Sequence, residues 1–131
     1  MTGRRADFEV ISFWEYLGPN DSGLNMSARF VGNQSSKKQF IIGEKPAGRG
    51  YISLQLYGVS SSNHSIKVND KYLDGNSIRQ HPFSEAWLLW MDVIEEGVLV
   101  KGQNTLQIIR GQGADSFVVD QAIVHWREIA E

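Results

Sequence analysis

Cysteine is absent from the 131 residues, so neither a disulfide framework nor a thiolate metal site is available. An excess of charge of one sign is missing too. Thirteen Lys and Arg against fifteen Asp and Glu give a formal charge of −2. That balance offers no electrostatic footprint for nucleic acid or an anionic membrane, so no nucleic-acid partner is expected. No apolar run approaches the ~20 residues that a membrane helix needs, which argues against membrane insertion. Met1-Thr2-Gly3-Arg4-Arg5 carries positive charge but no apolar stretch follows, because Asp7, Glu9 and Glu15 interrupt it. No signal peptide is read there, and the cysteine-free composition then predicts a cytoplasmic setting. Internal repeats, low-complexity tracts and linkers are also missing.

What is present is period-two alternation, broken every ten or so residues by turn formers. The composition, 41% hydrophobic and 21% charged, is that of an ordinary globular domain, and the length suits one core. Strands are expected over Asp7 to Tyr16, Leu24 to Val31, Gln39 to Gly43 and Tyr51 to Val59. In the last of these Ile52, Leu54 and Leu56 share one face, while Tyr51, Ser53, Gln55 and Tyr57 form a polar-aromatic face. Ile66 and Val68 point inward from the next strand, and Asn69-Asp70 supplies the positive-φ positions of a tight hairpin. Trp87 to Val98 also fits a helical face, yet a strand over about Trp87 to Asp92 and one turn through Ile94 to Gly97 are preferred. A turn at Lys101 to Asn104, a strand over Thr105 to Arg110 and a long strand over Ser116 to Arg127 close the chain. Residues 1–6 are expected to be a disordered tail of a single domain spanning 1–131. Four Asn-x-Ser sequons, at Asn20, Asn25, Asn33 and Asn63, are read as by-products of Asn and Ser in turns.

Two segments carry a resemblance. Ile66-Lys67-Val68-Asn69, followed by Leu99-Val100-Lys101-Gly102-Gln103-Asn104-Thr105-Leu106-Gln107-Ile108, resembles the hairpin and the Leu-x-x-Gly-x-Asn-x-Leu turn of galactose-binding-like jelly rolls. The sugar-binding domains of β-glycosidases and carbohydrate-binding modules are similar. Phe117 to Arg127 is similar to the last strand of that fold, so the likeness spans roughly Tyr51 to Glu128. Asp70 stands where the family pattern has Gly. The resemblance implies an all-β, antiparallel jelly-roll β-sandwich of about eight to nine strands with at most short helical turns. It further implies that Gly102 takes a positive φ and that Asn104 ties the turn to the next strand.

Catalytic patterns are not found. His64, His81 and His125 lie in unrelated elements without metal-ligand spacing, so no metal site is read, and no cofactor is expected. Asp92, Glu95 and Glu96 mark a solvated corner, no Gly-x-Ser-x-Gly elbow occurs, and Gly111-Gln112-Gly113 precedes a strand where a phosphate loop would precede a helix. The chain is therefore read as a non-enzymatic recognition module for carbohydrate or another polar ligand. If consecutive strands alternate in direction, Asn20 and Asp21, Glu44 to Arg49, Tyr72 to Phe83 and Gln112 to Asp115 gather at one end. Ligand contact is assigned there to Tyr72, Asn76, Arg79, His81 and Asp115, because sugars need rings for their C–H faces and planar polar groups for their hydroxyls. The four tryptophans, Trp14, Trp87, Trp90 and Trp126, are read as core and sheet-face residues. The alternative is a structural or assembly protein that forms a homo-oligomer or docks on a protein partner through its sheet faces, for which the Tyr51 and Tyr57 face is suited.

Overall fold

A computed structural model describes residues 3–22, 26–60, 63–73, 78, 86–111, 113 and 115–130. Among these there is no helix, and no helix long and apolar enough to cross a membrane. Nine strands form two sheets. The first has the order β2-β1-β9-β4-β7 and the second β3-β8-β5-β6. In chain order they are β1 (Gly3–Leu17), β2 (Arg29–Gly32), β3 (Lys38–Ile42), β4 (Gly50–Tyr57), β5 (Ser65–Val68), β6 (Lys71–Tyr72), β7 (Trp87–Ile94), β8 (Gly102–Ile109) and β9 (Phe117–Ala130). The architecture is the jelly-roll β-sandwich that the hairpin and turn motifs imply.

Alternation builds the core. Ile52, Leu54 and Leu56 from β4 and Val119, Ala122 and Val124 from β9 face Phe40, Ile42, Ile66, Val68, Leu106 and Ile108 from the second sheet, all buried in one cluster. Buried apolar area of this kind, at about 25 cal/mol per Å², is the main term that opposes chain entropy. Asn69 and Asp70 take φ of 52° and 64°, the two positive values that a two-residue hairpin turn between β5 and β6 requires. Trp14, at φ 47°, sits where the β1–β9 register shifts between Ser12 and Glu15, and this bulge turns Glu15 into the interior.

Several expected boundaries change. The tail is strand from Gly3 onward, because residues 3–6 pair with 127–130 of β9. The strand expected over Leu24 to Val31 shrinks to Arg29–Gly32, a short edge strand, with residues 23–25 outside the described set. β7 reaches Ile94 before turning. Trp126 is in the core, whereas Trp87 and Trp14 lie on sheet faces, partly exposed.

One pairing reverses the assumed geometry: β2 runs parallel to β1, with Glu15 opposite Arg29 and Tyr16 opposite Phe30. Every later loop therefore changes ends relative to strict alternation. Residues 32–37, 58–60, 63–64, 110–111 and 115–116 meet at what is here the upper end, held by Arg110 N–H donating to the Asn33 carbonyl at 2.8 Å and by the Gln34–Ile109 bridge. The 43–49 and 95–101 loops lie at the lower end, where Pro46 bridges Glu128.

Candidate functional site

At the upper end polar side chains are turned on one another. Asp115 is buried, its carboxylate accepting from the Ser60 amide at 3.0 Å and from the Ser60 hydroxyl at 2.5 Å. His64, fully buried, lies with Nε2 2.6 Å from Asp115 Oδ2, while its Nδ1 accepts from the Gly111 amide at 3.0 Å. That second bond assigns the tautomer: Nδ1 carries no proton, so Nε2–H donates to Asp115. Burial pushes the Asp115 carboxyl up, but the bonds from His64 and Ser60 outweigh it and hold the group below its ordinary value. A serine, a histidine and an aspartate thus sit together without the order that activates a nucleophile. Ser60 donates to the aspartate, and neither imidazole nitrogen is left to take its proton. Nearby, Arg110 donates from Nε (3.0 Å) and Nη2 (2.8 Å) to Asn33 Oδ1, and from Nη1 to the Gly113 carbonyl at 2.8 Å.

These positions bear on the expected contact residues. Asp115, expected at the recognition surface, is buried at the upper end with the buried His64 as its partner. Tyr72 is exposed on the outer face of the second sheet, with the Lys67 ammonium 4.7 Å from its ring centre. Tyr72 and Asp115 therefore share no surface. Asn76, Arg79 and His81 lie outside the described residues. The gathered end also differs from expectation, since Glu44 to Arg49 are at the lower end.

That lower end holds a cleft of about 460 Å³ lined by Ala6, Asp7, Ala47 to Tyr51 and His125 to Arg127. Its wall is the outer face of the first sheet. Tyr51 and His125 oppose each other on β4 and β9, and their rings stack with centres 4.3 Å apart and planes within 10°. Phe8 continues the row from β1, its ring centre 6.1 Å from that of His125. Gly50 lets the backbones close: a Cβ there would stand 2.6 Å from the His125 carbonyl oxygen. The rim is polar. Arg49 Nε is 3.2 Å from Glu95, and the exposed Arg127 has no ion-pair partner among the described residues. Behind the wall, Glu128 is buried and accepts from Arg5 Nε at 2.6 Å and from Trp126 Nε1 at 3.1 Å, bonds that hold its carboxyl below the ordinary value. No cluster of His, Asp and Glu suited to a metal occurs among the described residues.

Sequence reasoning singled out Tyr51 but not His125, Arg49 or Arg127 as its neighbours. The strand pairing that joins them was not available from local pattern.

A sequence profile described as a family of unknown function, DUF7383, matches residues 5–128. The chain belongs to this family. No curated protein matches it. Solved structures do, at the level of fold. A family 35 carbohydrate-binding module from an environmental isolate superposes with a TM-score of 0.57 at 13% identity, covering 88% of this chain and 91% of that one. The family 35 module of Cellvibrio japonicus Abf62 gives 0.55 at 16% identity, with 90% and 92% covered. Dimeric latent PorU from Porphyromonas gingivalis gives 0.60 at 12% identity, where 95% of this chain matches only 13% of that one. The DUF7383 chain thus shares its sandwich with most of each of those two module chains and with one segment, 13%, of a much longer one.

Proposed function

We propose that the DUF7383 chain is a non-catalytic carbohydrate-binding module whose site is the lower cleft. The observation that carries this is the stacked Tyr51–His125 pair opening onto Arg49, Arg127 and Asp7. Apolar ring surface next to groups that donate and accept hydrogen bonds suits a sugar, which needs both. The shared fold with family 35 modules supports the same class of ligand. A few such contacts give weak single-site affinity, about 10 μM to 1 mM.

Calorimetric titration against a panel of neutral and acidic oligosaccharides tests the reading. Binding that disappears in Tyr51→Ala and persists in Tyr72→Ala is the expected result. Binding unaffected by Tyr51→Ala but abolished by Arg79→Ala would move the site to the segment between Leu73 and Ala86. A panel with no binder, presented also as an array, would remove the carbohydrate reading.

A further inference from the structure

Four strands end a sheet, and three of them are blunted. β2 has four residues, β6 only Lys71 and Tyr72, and β3 five residues that begin with Lys38. The fourth, β7, runs for eight residues without Pro, Gly, Lys or Arg, and its pairing with β4 is unbroken from Ile94 opposite Gly50 to Trp87 opposite Tyr57. One bond fixes which side of β7 is open. The Gly58 amide donates to the Ala86 carbonyl at 3.2 Å, which marks these two as a hydrogen-bonded pair of the antiparallel ladder. Alternation then turns the backbone groups of Leu88, Trp90, Asp92 and Ile94 toward β4, and those of Trp87, Leu89, Met91 and Val93 away from it. The Val93 amide is taken by Asp92 Oδ1 at 2.8 Å. The N–H and C=O of Trp87, Leu89 and Met91 have no backbone partner among the described residues, and the three side chains are 48 to 60% exposed.

We infer that this edge pairs with the same edge of a second copy, β7 antiparallel to β7, so that two five-stranded sheets become one of ten strands. Self-complementarity selects that occupant. With the two-fold axis at Leu89, Trp87 lies opposite Met91 of the second copy, Leu89 lies opposite itself, and all six open backbone groups are bonded. On the inner side Leu88 lies opposite Trp90, and both are half-buried. Each of these cross-strand pairs is apolar, the kind that stabilises an antiparallel ladder. The one charge of the strand, Asp92, falls beyond the paired stretch, opposite Ala86, so no charge meets its own kind. A contact of five residues per strand buries less than the ~800 Å² per partner of a standard complex, so the dimer dissociates on dilution. The outer faces of β4 and β9 stay uncovered in this arrangement. The Tyr51–His125 wall therefore remains open, and two clefts on one side of a continuous sheet would raise the avidity of weak single sites.

Sedimentation velocity over a concentration series without ligand tests this apart from any sugar. The mass is expected to rise from 14.7 kDa at about 1 μM toward twice that at about 500 μM. Hydrogen exchange read residue by residue gives a sign peculiar to edge pairing. The amides of Trp87, Leu89 and Met91 should slow by about tenfold between those concentrations, whereas Leu88 and Trp90, bonded to β4 in either state, should not change. Met91→Pro removes one donor from the open edge and no bond to β4, and Leu89→Lys sets a charge against its own copy at the axis. Each should give a monomer throughout the series with an unchanged circular dichroism spectrum. Phe8→Lys, on the same outer face but three strands away on β1, should leave the dimer intact. A monomer at every soluble concentration overturns the inference. So does a dimer whose Trp87, Leu89 and Met91 amides exchange as fast as in the monomer, or one that Phe8→Lys breaks and Leu89→Lys does not, since that contact would be made by the face.

Discussion

The two ends of the sandwich handle polar groups in opposite ways. At the upper end Asp115, His64, Ser60, Asn33 and Arg110 bond to one another, and the end is sealed. At the lower end part of the loop set is sealed likewise. Asn104 is fully buried, accepts from the Val100 amide at 2.9 Å and from Asn69 Nδ2 at 2.8 Å, and donates to the Val100 carbonyl at 2.8 Å. The other part, around Tyr51, His125 and Arg127, presents rings to a cleft together with a guanidinium that has no ion-pair partner among the described residues. Residue type alone does not distinguish a recognition surface from a lock. What distinguishes them is whether hydrogen-bonding capacity is spent inside the protein.

The largest expected effect lies at the upper end. Asp115→Ala removes the acceptor of the buried His64 Nε2–H and of the Ser60 amide, at a cost of about 3 kcal/mol. Denaturant unfolding checks it, and a midpoint within error of the parent would mean that the upper end is not the lock described. Sugar binding by the folded fraction should be unchanged.

At the lower end the sealed half should respond almost as strongly. Asn104→Ala strands the Val100 amide and is expected to cost about 2 to 3 kcal/mol. Gly102, at φ +100° with open space where a Cβ would stand, isolates backbone strain from packing. Gly102→Val should cost roughly 1–3 kcal/mol, since a β-branched residue adopts that region poorly. An unchanged melting temperature for Gly102→Val would break the turn assignment.

A smaller effect is expected from acid. Asp115 and Glu128 both have carboxyls held below their ordinary values in the folded chain, so folding favours the ionised forms. Their contribution is complete above the unfolded value of about 4, and it is lost as pH falls through the lower folded values. The melting temperature should be level down to about pH 5 and then drop. Asp115→Asn should flatten that drop, and an equally steep one would place the acid sensitivity elsewhere.

The local alternation and the tight turns mark where the sequence was legible. Alternation at Ile52, Leu54 and Leu56, the Asn69-Asp70 turn and the Gly102 turn are local, with the conformation encoded within a few residues, and the structure has them. The direction of β2 is not local. It follows from Glu15 lying opposite Arg29 in a parallel pair, a reversal that moved Glu44 to Arg49 away from Asn20 and Asp21, while the separate returning strand β6 keeps Asp115 at the upper end. The His64–Asp115 bond joins residues 51 apart, and no pattern in either segment announces it. Candidate contact residues were chosen by type, which is why Asp115 looked like a ligand group when its carboxylate was already engaged.

Two arginines sharpen the comparison with the smallest change to the molecule. Arg110 gives its guanidinium to Asn33 Oδ1 and to the Gly113 carbonyl, whereas Arg127 has no such partner among the described residues. Arg110→Ala should therefore cost about 1 kcal/mol in unfolding free energy and leave sugar affinity alone, because its hydrogen bonds are internal. Arg127→Ala should change stability by less than about 0.5 kcal/mol, the usual range for an exposed side chain, while weakening sugar binding several-fold through loss of a charged donor at the cleft rim. Unfolding curves and titrations on the two proteins read both quantities. If the effects exchange, with Arg127→Ala destabilising and Arg110→Ala abolishing binding, the open end and the sealed end have been assigned the wrong way round.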